Sequence, residues 1–258
     1  QQKNLEAIRL HPTTPYRDVS KRALGSVSRA YYDEKAGKLY AGLNYPGVVS
    51  HVGAIDVKTG EIERLVDVKG PVIYTVTSLA YDPDAQLLYY TTDNGAHRDL
   101  VRLDPRTHKT QLLMKDARIG DLAFNRADKS MWGIRHLNGI CTLVRMAAPY
   151  KDWTRVYSWP YGTVLYDLDV SPDGTRLSAS FGEIDGKQDV RLFATDRMLA
   201  GEITPLARFD FGPSVPSGFV FTRDGTALVG SSYYTGVSNI FRYDIATGNV
   251  SALSNAET

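Results

Sequence analysis

The sequence predicts an all-β fold, a β-propeller of five visible four-stranded blades that either closes on itself or forms part of a larger ring. Three observations predict it. A nine-residue pattern recurs five times in a fixed register, and a second pattern centred on aspartate and threonine follows each copy. Turn residues and short alternating segments fill the space between, with no helical period of comparable length.

The nine-residue copies occupy residues 32–40 (YDEKAGKLY), 81–89 (YDPDAQLLY), 124–132 (FNRADKSMW), 170–178 (VSPDGTRLS) and 221–229 (FTRDGTALV). Each opens on an apolar or aromatic residue, and seven residues later stands Leu39, Leu88, Met131, Leu177 or Leu228. The starts lie 43 to 51 residues apart, the length a four-stranded blade needs. Asp173-Gly174 and Asp224-Gly225 are hairpin dipeptides, because glycine accepts positive φ and aspartate bonds its own backbone. LSAS after Arg176 alternates as a strand does.

The second pattern supplies the third strand and its turn. It is clear in AIDVKTG (54–60), RLDPRTH (102–108) and RYDIATG (242–248), and degraded in 190–196 and 143–153. Fourth strands follow at 61–66, 111–114 and 250–253. The blades therefore span about 27–70, 75–115, 118–160, 164–210 and 215–258. Residues 1–26 form an extended N-terminal segment, a linker or closing strand, with LEAIRL (5–10) as an outer strand and HPTTPY (11–16) as a Pro-rich connector.

SPDGTRLSAS (171–180), the Asp-x-x-Thr-Gly turns and LSNAET (253–258) resemble TolB-like propeller repeats, relatives of WD-repeat blades. The resemblance covers 27–258 and is weakest in blade three, where Asn125-Arg126-Ala127-Asp128 lacks the Pro-Asp-Gly core. It implies small sheets arranged radially around a channel. It also implies a protein-binding platform of the bacterial periplasm, or a propeller module beside a peptidase or other hydrolase domain. The chain starts at Gln1, without methionine or a signal-like segment, so a piece of a larger extracytoplasmic protein is expected.

Composition narrows the function. Thirty Lys and Arg against 29 Asp and Glu, with no basic stripe, do not predict a nucleic-acid partner. No run of apolar residues is long enough to cross a membrane as a helix. Cys141 is the single cysteine, so neither an intramolecular disulfide nor a thiolate zinc cage is available. His-Glu-x-x-His, Gly-x-Ser-x-Gly and phosphate-binding glycine loops are absent, and no cofactor is expected.

Candidate site residues come from repeat columns. Three positions before each repeat start the column reads Arg29, Ser78, Asp121, Asp167, Gly218, and one position later Ala30, Leu79, Leu122, Leu168, Phe219. Strand alternation puts the second column in the packed side and the first toward the channel, with Asp169 nearby. Arg29, Asp121 and Asp167 then form a site for a cationic group or metal, or a carboxylate pair for hydrolysis, or a cluster in which Arg29 neutralises buried aspartates. His97 and His136 fall in second-to-third-strand loops of neighbouring blades, but two histidines without a third ligand do not predict a metal site. Tyr45, Tyr74, Trp159, Tyr161, Tyr166, Tyr233 and Tyr234 supply aromatic surface or core. Arg102, Arg145, Arg191 and Arg242 recur in third strands, where pairing with acids of neighbouring blades is expected. The expectation is a noncatalytic scaffold binding a protein or peptide, or another domain of the same protein, through Arg29, Tyr74, His97, His136, Tyr166 and Tyr233. The alternative is a glycan-active hydrolase using Asp121 and Asp167.

Overall fold

The computed structural model describes residues 12–68, 78–92 and 98–256. The chain folds into five antiparallel sheets set in a ring, a β-propeller with almost no helix among the described residues. Blade one contains β1 (Ser26–Val27), β2 (Tyr31–Asp33), β3 (Lys38–Asn44), β4 (His51–Asp56) and β5 (Ile62–Asp67). Its inner strand is broken, so that β1 and β2 both pair with β3. Blade two is β6 (Leu79–Asp82), β7 (Leu87–Thr91), β8 (Leu100–Asp104) and β9 (Lys109–Met114). Blade three is β10 (Gly120–Phe124), β11 (Met131–Leu137), β12 (Ile140–Met146) and β13 (Thr154–Ser158). Blade four is β14 (Val164–Val170), β15 (Arg176–Gly182), β16 (Gln188–Ala194) and β17 (Ala207–Gly212). A one-turn helix, α1 (Thr195–Leu199), replaces the Asp-x-x-Thr-Gly turn that the sequence lacks there. Blade five is β18 (Pro216–Phe221), β19 (Ala227–Ser232), β20 (Asn239–Asp244) and β21 (Val250–Ala252).

The cores lie between blades. Leu88, Tyr90 and Leu103 meet Tyr40, Val52 and Ala54 between blades one and two. Trp132, Ile134 and Leu143 meet Leu165, Leu177 and Phe193 between blades three and four. Phe209, Phe211, Phe219, Phe241 and Tyr243 form an aromatic core between blades four and five. Strands inside the blades, such as β4, β7 and β15, thus bury both faces, which explains why period-two alternation is weak within the repeats, while outer strands such as β9 and β21 stay largely exposed. The remaining side of blade one, Ala41, Leu43, Tyr45 and Ile55, is covered by Val19 and Leu24 of the N-terminal segment. Arg22 of the same segment lies 4.2 Å from the centre of the Tyr45 ring. The segment is tied to blade five by Thr14 N–H to the Asn255 carbonyl at 3.0 Å, and to blade one by Lys21 N–H to the Gly60 carbonyl at 3.0 Å. It is therefore wedged at the seam where blade five meets blade one.

Three expectations need correction. The third-strand arginines pair within their own blades: Arg145 with Asp128, Arg191 with Glu183 and Asp189, and Arg242 with Asp244. Nor are the four equivalent. Arg102, Arg145 and Arg242 stand opposite Tyr89, Trp132 and Val229, whereas Arg191 stands opposite Ala179, one register step away. The first hairpin turns carry polar links between blades. Gln86 donates to Asp33, Arg126 pairs with Asp84, Arg176 donates to the Gly225 carbonyl and Arg223 pairs with Glu34. Finally, Ala30 is exposed while Leu79, Leu122, Leu168 and Phe219 are buried, because blade one breaks its inner strand at that point.

Candidate functional site

The polar column forms a hydrogen-bonded stair around the channel wall. The Ser78 hydroxyl accepts the Leu122 N–H at 2.8 Å, Asp121 accepts the Asp167 N–H at 3.3 Å, and Asp167 accepts the Gly218 N–H at 2.7 Å. Each side chain thus serves the backbone of the next blade. The local reason is a β-bulge: register shifts fall at this position in blades three, four and five. Asp121, Asp167 and Gly218 take φ of 46°, 53° and 64° there. Aspartate is among the few non-glycine residues that tolerate this conformation. The bulge turns one N–H away from its own ladder, and the previous blade's side chain receives it.

Arg29 does something different. It reaches across the channel to blade four, donating to the Leu168 carbonyl at 2.9 Å and to Asp169 at 2.7 Å. Asp169 also accepts the Phe221 N–H at 2.7 Å. Burial alone would lower the Arg29 pKa, but Asp169 and other neighbouring negative groups outweigh it and hold the guanidinium charged. Burial pushes the Asp121 carboxyl up to about 6, against the Asp167 N–H and Arg98, with the Asp167 charge adding to the rise. Burial also raises Asp167, opposed by the Gly218 N–H and by Arg29. Both carboxyls are therefore wall elements with committed hydrogen bonds.

The other candidates scatter. Tyr74 and His97 lie outside the described residues. His136 is not in a loop: it sits on β11, because Asn138-Gly139 closes a two-residue hairpin at φ of 51° and 75°. Its Nδ1 lies 3.1 Å from the Cys141 sulfur. Burial lowers the imidazole and raises the thiol, so the contact joins two neutral groups rather than a thiolate and an imidazolium. Tyr166 donates to Gln188 at 2.9 Å, and burial pushes its phenol up to about 12. Tyr45 and Trp159 are core residues. Tyr233 and Tyr234 are exposed in the β19–β20 connection, Tyr234 with its ring edge toward Phe211 and Phe241. Among the described residues no group of three or more His, Cys, Asp or Glu could hold a metal ion.

The structure adds a feature the repeat columns do not contain. The upper face of the ring, where β10, β14 and β18 begin, carries several exposed apolar side chains. Tyr161 is 73% exposed, Ile184 81% and Tyr233 63%, and Leu137, Val164, Val215 and Tyr234 join them. A Cβ on Gly139 would lie 2.5 Å from the Tyr161 ring, and one on Gly162 would lie 3.2 Å from Ile184. Two glycines thus let Tyr161 and Ile184 lie flat across blades three and four as one ridge. The sequence signal for Ile184 is an apolar residue inside the polar turn Glu183-Ile184-Asp185-Gly186.

The described residues thus form a ring of five four-stranded blades with a bulged polar channel wall and exposed apolar side chains on the upper face. Solved structures specify it further. TolB from Acinetobacter baumannii superposes with a TM-score of 0.67 at 16% identity over 85% of this chain and 53% of that one. A putative TolB from Agrobacterium tumefaciens gives 0.65 at 14% identity over 88% and 80%. A prolyl endopeptidase gives 0.54 at 13% identity over 90% of this chain and 36% of that one. The chain therefore spans about half the length of the first and just over a third of the last. It is a TolB-like propeller in fold. No family model matches the sequence, and no curated protein matches it.

Proposed function

We propose that this chain is a noncatalytic binding module of a larger extracytoplasmic bacterial protein, accessory to a peptidase domain, and that it takes a protein or peptide partner on its upper face. The observation that carries the proposal is the exposed ridge of Leu137, Tyr161 and Ile184 with Tyr233 and Tyr234 on the same face. Exposed apolar side chains gathered on one face mark interaction sites, and tyrosine is favoured at their centres. The commitment of Asp121, Asp167 and Asp169 to backbone N–H groups supports a structural channel wall. That the fold recurs as about a third of a prolyl endopeptidase supports attachment to a hydrolase. Among the described residues no helix is long and apolar enough to cross a membrane.

The test is site-specific photocrosslinking in the full-length protein in its own cells. Benzoylphenylalanine at positions 161, 184 and 233 is expected to give one discrete adduct. The same probe at Leu199 and Leu206, exposed elsewhere, is expected to give none. Adducts from the second set alone, or from neither, overturn the assignment. The glycan-active hydrolase is the second reading because Asp121 and Asp167 are neighbours on the channel wall, linked through the Asp167 N–H, and burial pushes the Asp121 carboxyl up to about 6. Asp121→Asn with Asp167→Asn decides it, since a scaffold keeps its adducts and a hydrolase loses all turnover.

A further inference from the structure

We infer that the gap between blades two and three is a binding site for a small organic carboxylate with an aromatic or aliphatic body. The gap is a cavity of about 420 Å³ between β7–β9 and the segment 148–151, within the range of small-molecule sites. Tyr89 and Tyr150 form its floor, with ring centres 5.2 Å apart and set edge to face. Leu112 and Leu113 form one wall. Three cations, Arg102, Lys129 and Lys151, line it against a single carboxylate, Asp82. Lys129 is itself paired with Asp82 and Asp84.

Arg102 is the telling residue. Of the three arginines at the equivalent third-strand position, Arg145 meets Asp128 and Arg242 meets Asp244. Arg102 instead donates to the neutral carboxamide of Gln111 at 2.5 Å. The arginine that lines the cavity is thus the one whose partner brings no charge, and its fork remains suited to a carboxylate. Tyr150 adds a second sign. It holds φ of 63°, a costly conformation for a bulky residue, fixed by its N–H to the Ala147 carbonyl at 2.8 Å and its hydroxyl to the Lys129 carbonyl at 2.7 Å. Strained backbone of this kind gathers at ligand sites.

The probe is 3-phenylpropanoate, with 3-phenylpropan-1-ol as its neutral counterpart, titrated calorimetrically into the intact chain at low salt. The acid is expected to bind at least about tenfold tighter than the alcohol, as a charge-assisted pair predicts, and to weaken as salt rises. Arg102→Gln should remove the preference for the acid, and Arg242→Gln, at the equivalent position of blade five, should leave it intact. Should Arg102→Gln fail to fold, the exposed Lys151→Gln decides, with a several-fold loss expected. No saturable binding of the acid, equal binding of acid and alcohol, or an unchanged preference in a folded Arg102 or Lys151 variant overturns the assignment.

Discussion

Asp121→Asn should stabilise this protein at neutral pH and do nothing in acid. In the folded state burial raises the Asp121 carboxyl from 3.8 to about 6. Below about pH 4 the group is protonated folded and unfolded alike, and it contributes no difference. Between about 4 and 6 the folded state holds a proton that the unfolded state has released, so stability falls as pH rises through that window. Above about 6 the buried carboxylate carries its full penalty. Two pKa units are worth about 3 kcal/mol; partial exposure of the side chain reduces this to about 1–2 kcal/mol. Asparagine keeps the acceptor for the Asp167 N–H, carries no charge beside Asp167, and tolerates the positive φ of 46° at this position. At about 2–4 °C per kcal/mol for a chain of this size, the melting temperature should rise by about 2–8 °C at pH 7.5. Calorimetric melting of both proteins from pH 4 to 8 checks this. A gain of equal size at every pH, or a less stable variant at pH 7.5, would refute the reasoning.

Three further outcomes follow from the packing. Arg29→Met removes the cross-channel pair with Asp169 and leaves that carboxylate buried, so urea denaturation should show a loss of about 2–4 kcal/mol, partly recovered by adding Asp169→Asn. Gly133→Ala would set a Cβ 2.3 Å from the Ile119 side chain and 3.1 Å from the Gly120 carbonyl. Its expected loss of about 2–3 kcal/mol is read in the same assay, and an unchanged midpoint would show that β10 and β11 can part. Cys141 is buried with a raised thiol, so iodoacetamide should modify it only as fast as the blade opens. Modification at the rate of a free thiol would contradict that burial.

The five blades are legible in the sequence because the first hairpin repeats with Leu39, Leu88, Met131, Leu177 and Leu228 at one offset; the last four enter inter-blade cores, and Leu39 borders the core between blade one and the N-terminal segment. The polar column is legible as a column. What it bonds to is not, because the partner of Asp121 or Asp167 is an N–H that a bulge releases, and a bulge leaves no mark on residue type beyond Asp, Asp, Gly in succession. That Arg29 crosses to blade four depends on ring diameter, which no local pattern encodes. His136 was recoverable: the Asn138-Gly139 dipeptide places it on a strand, and its neighbours Arg135 and Leu137 extend that strand to the turn. The degraded third strand of blade four hid the one-step displacement of Arg191, which instead stacks its guanidinium 4.1 Å from the Phe181 ring centre.

The wedge at the seam has a mechanical consequence. Four joints of the ring are made by one sheet lying on the next, while the fifth, besides the surface pair Arg223–Glu34, is made through residues 12–25, which cover Leu43 and Ile55 on one side and bond Asn255 on the other. The segment is a keystone: tension applied at residue 12 passes directly into blade five at Asn255 and into blade one at Gly60. Any force transmitted along the chain from that end is thus borne by the joint that closes the circle. Extracting the segment would bare one whole side of blade one while leaving the other four joints intact.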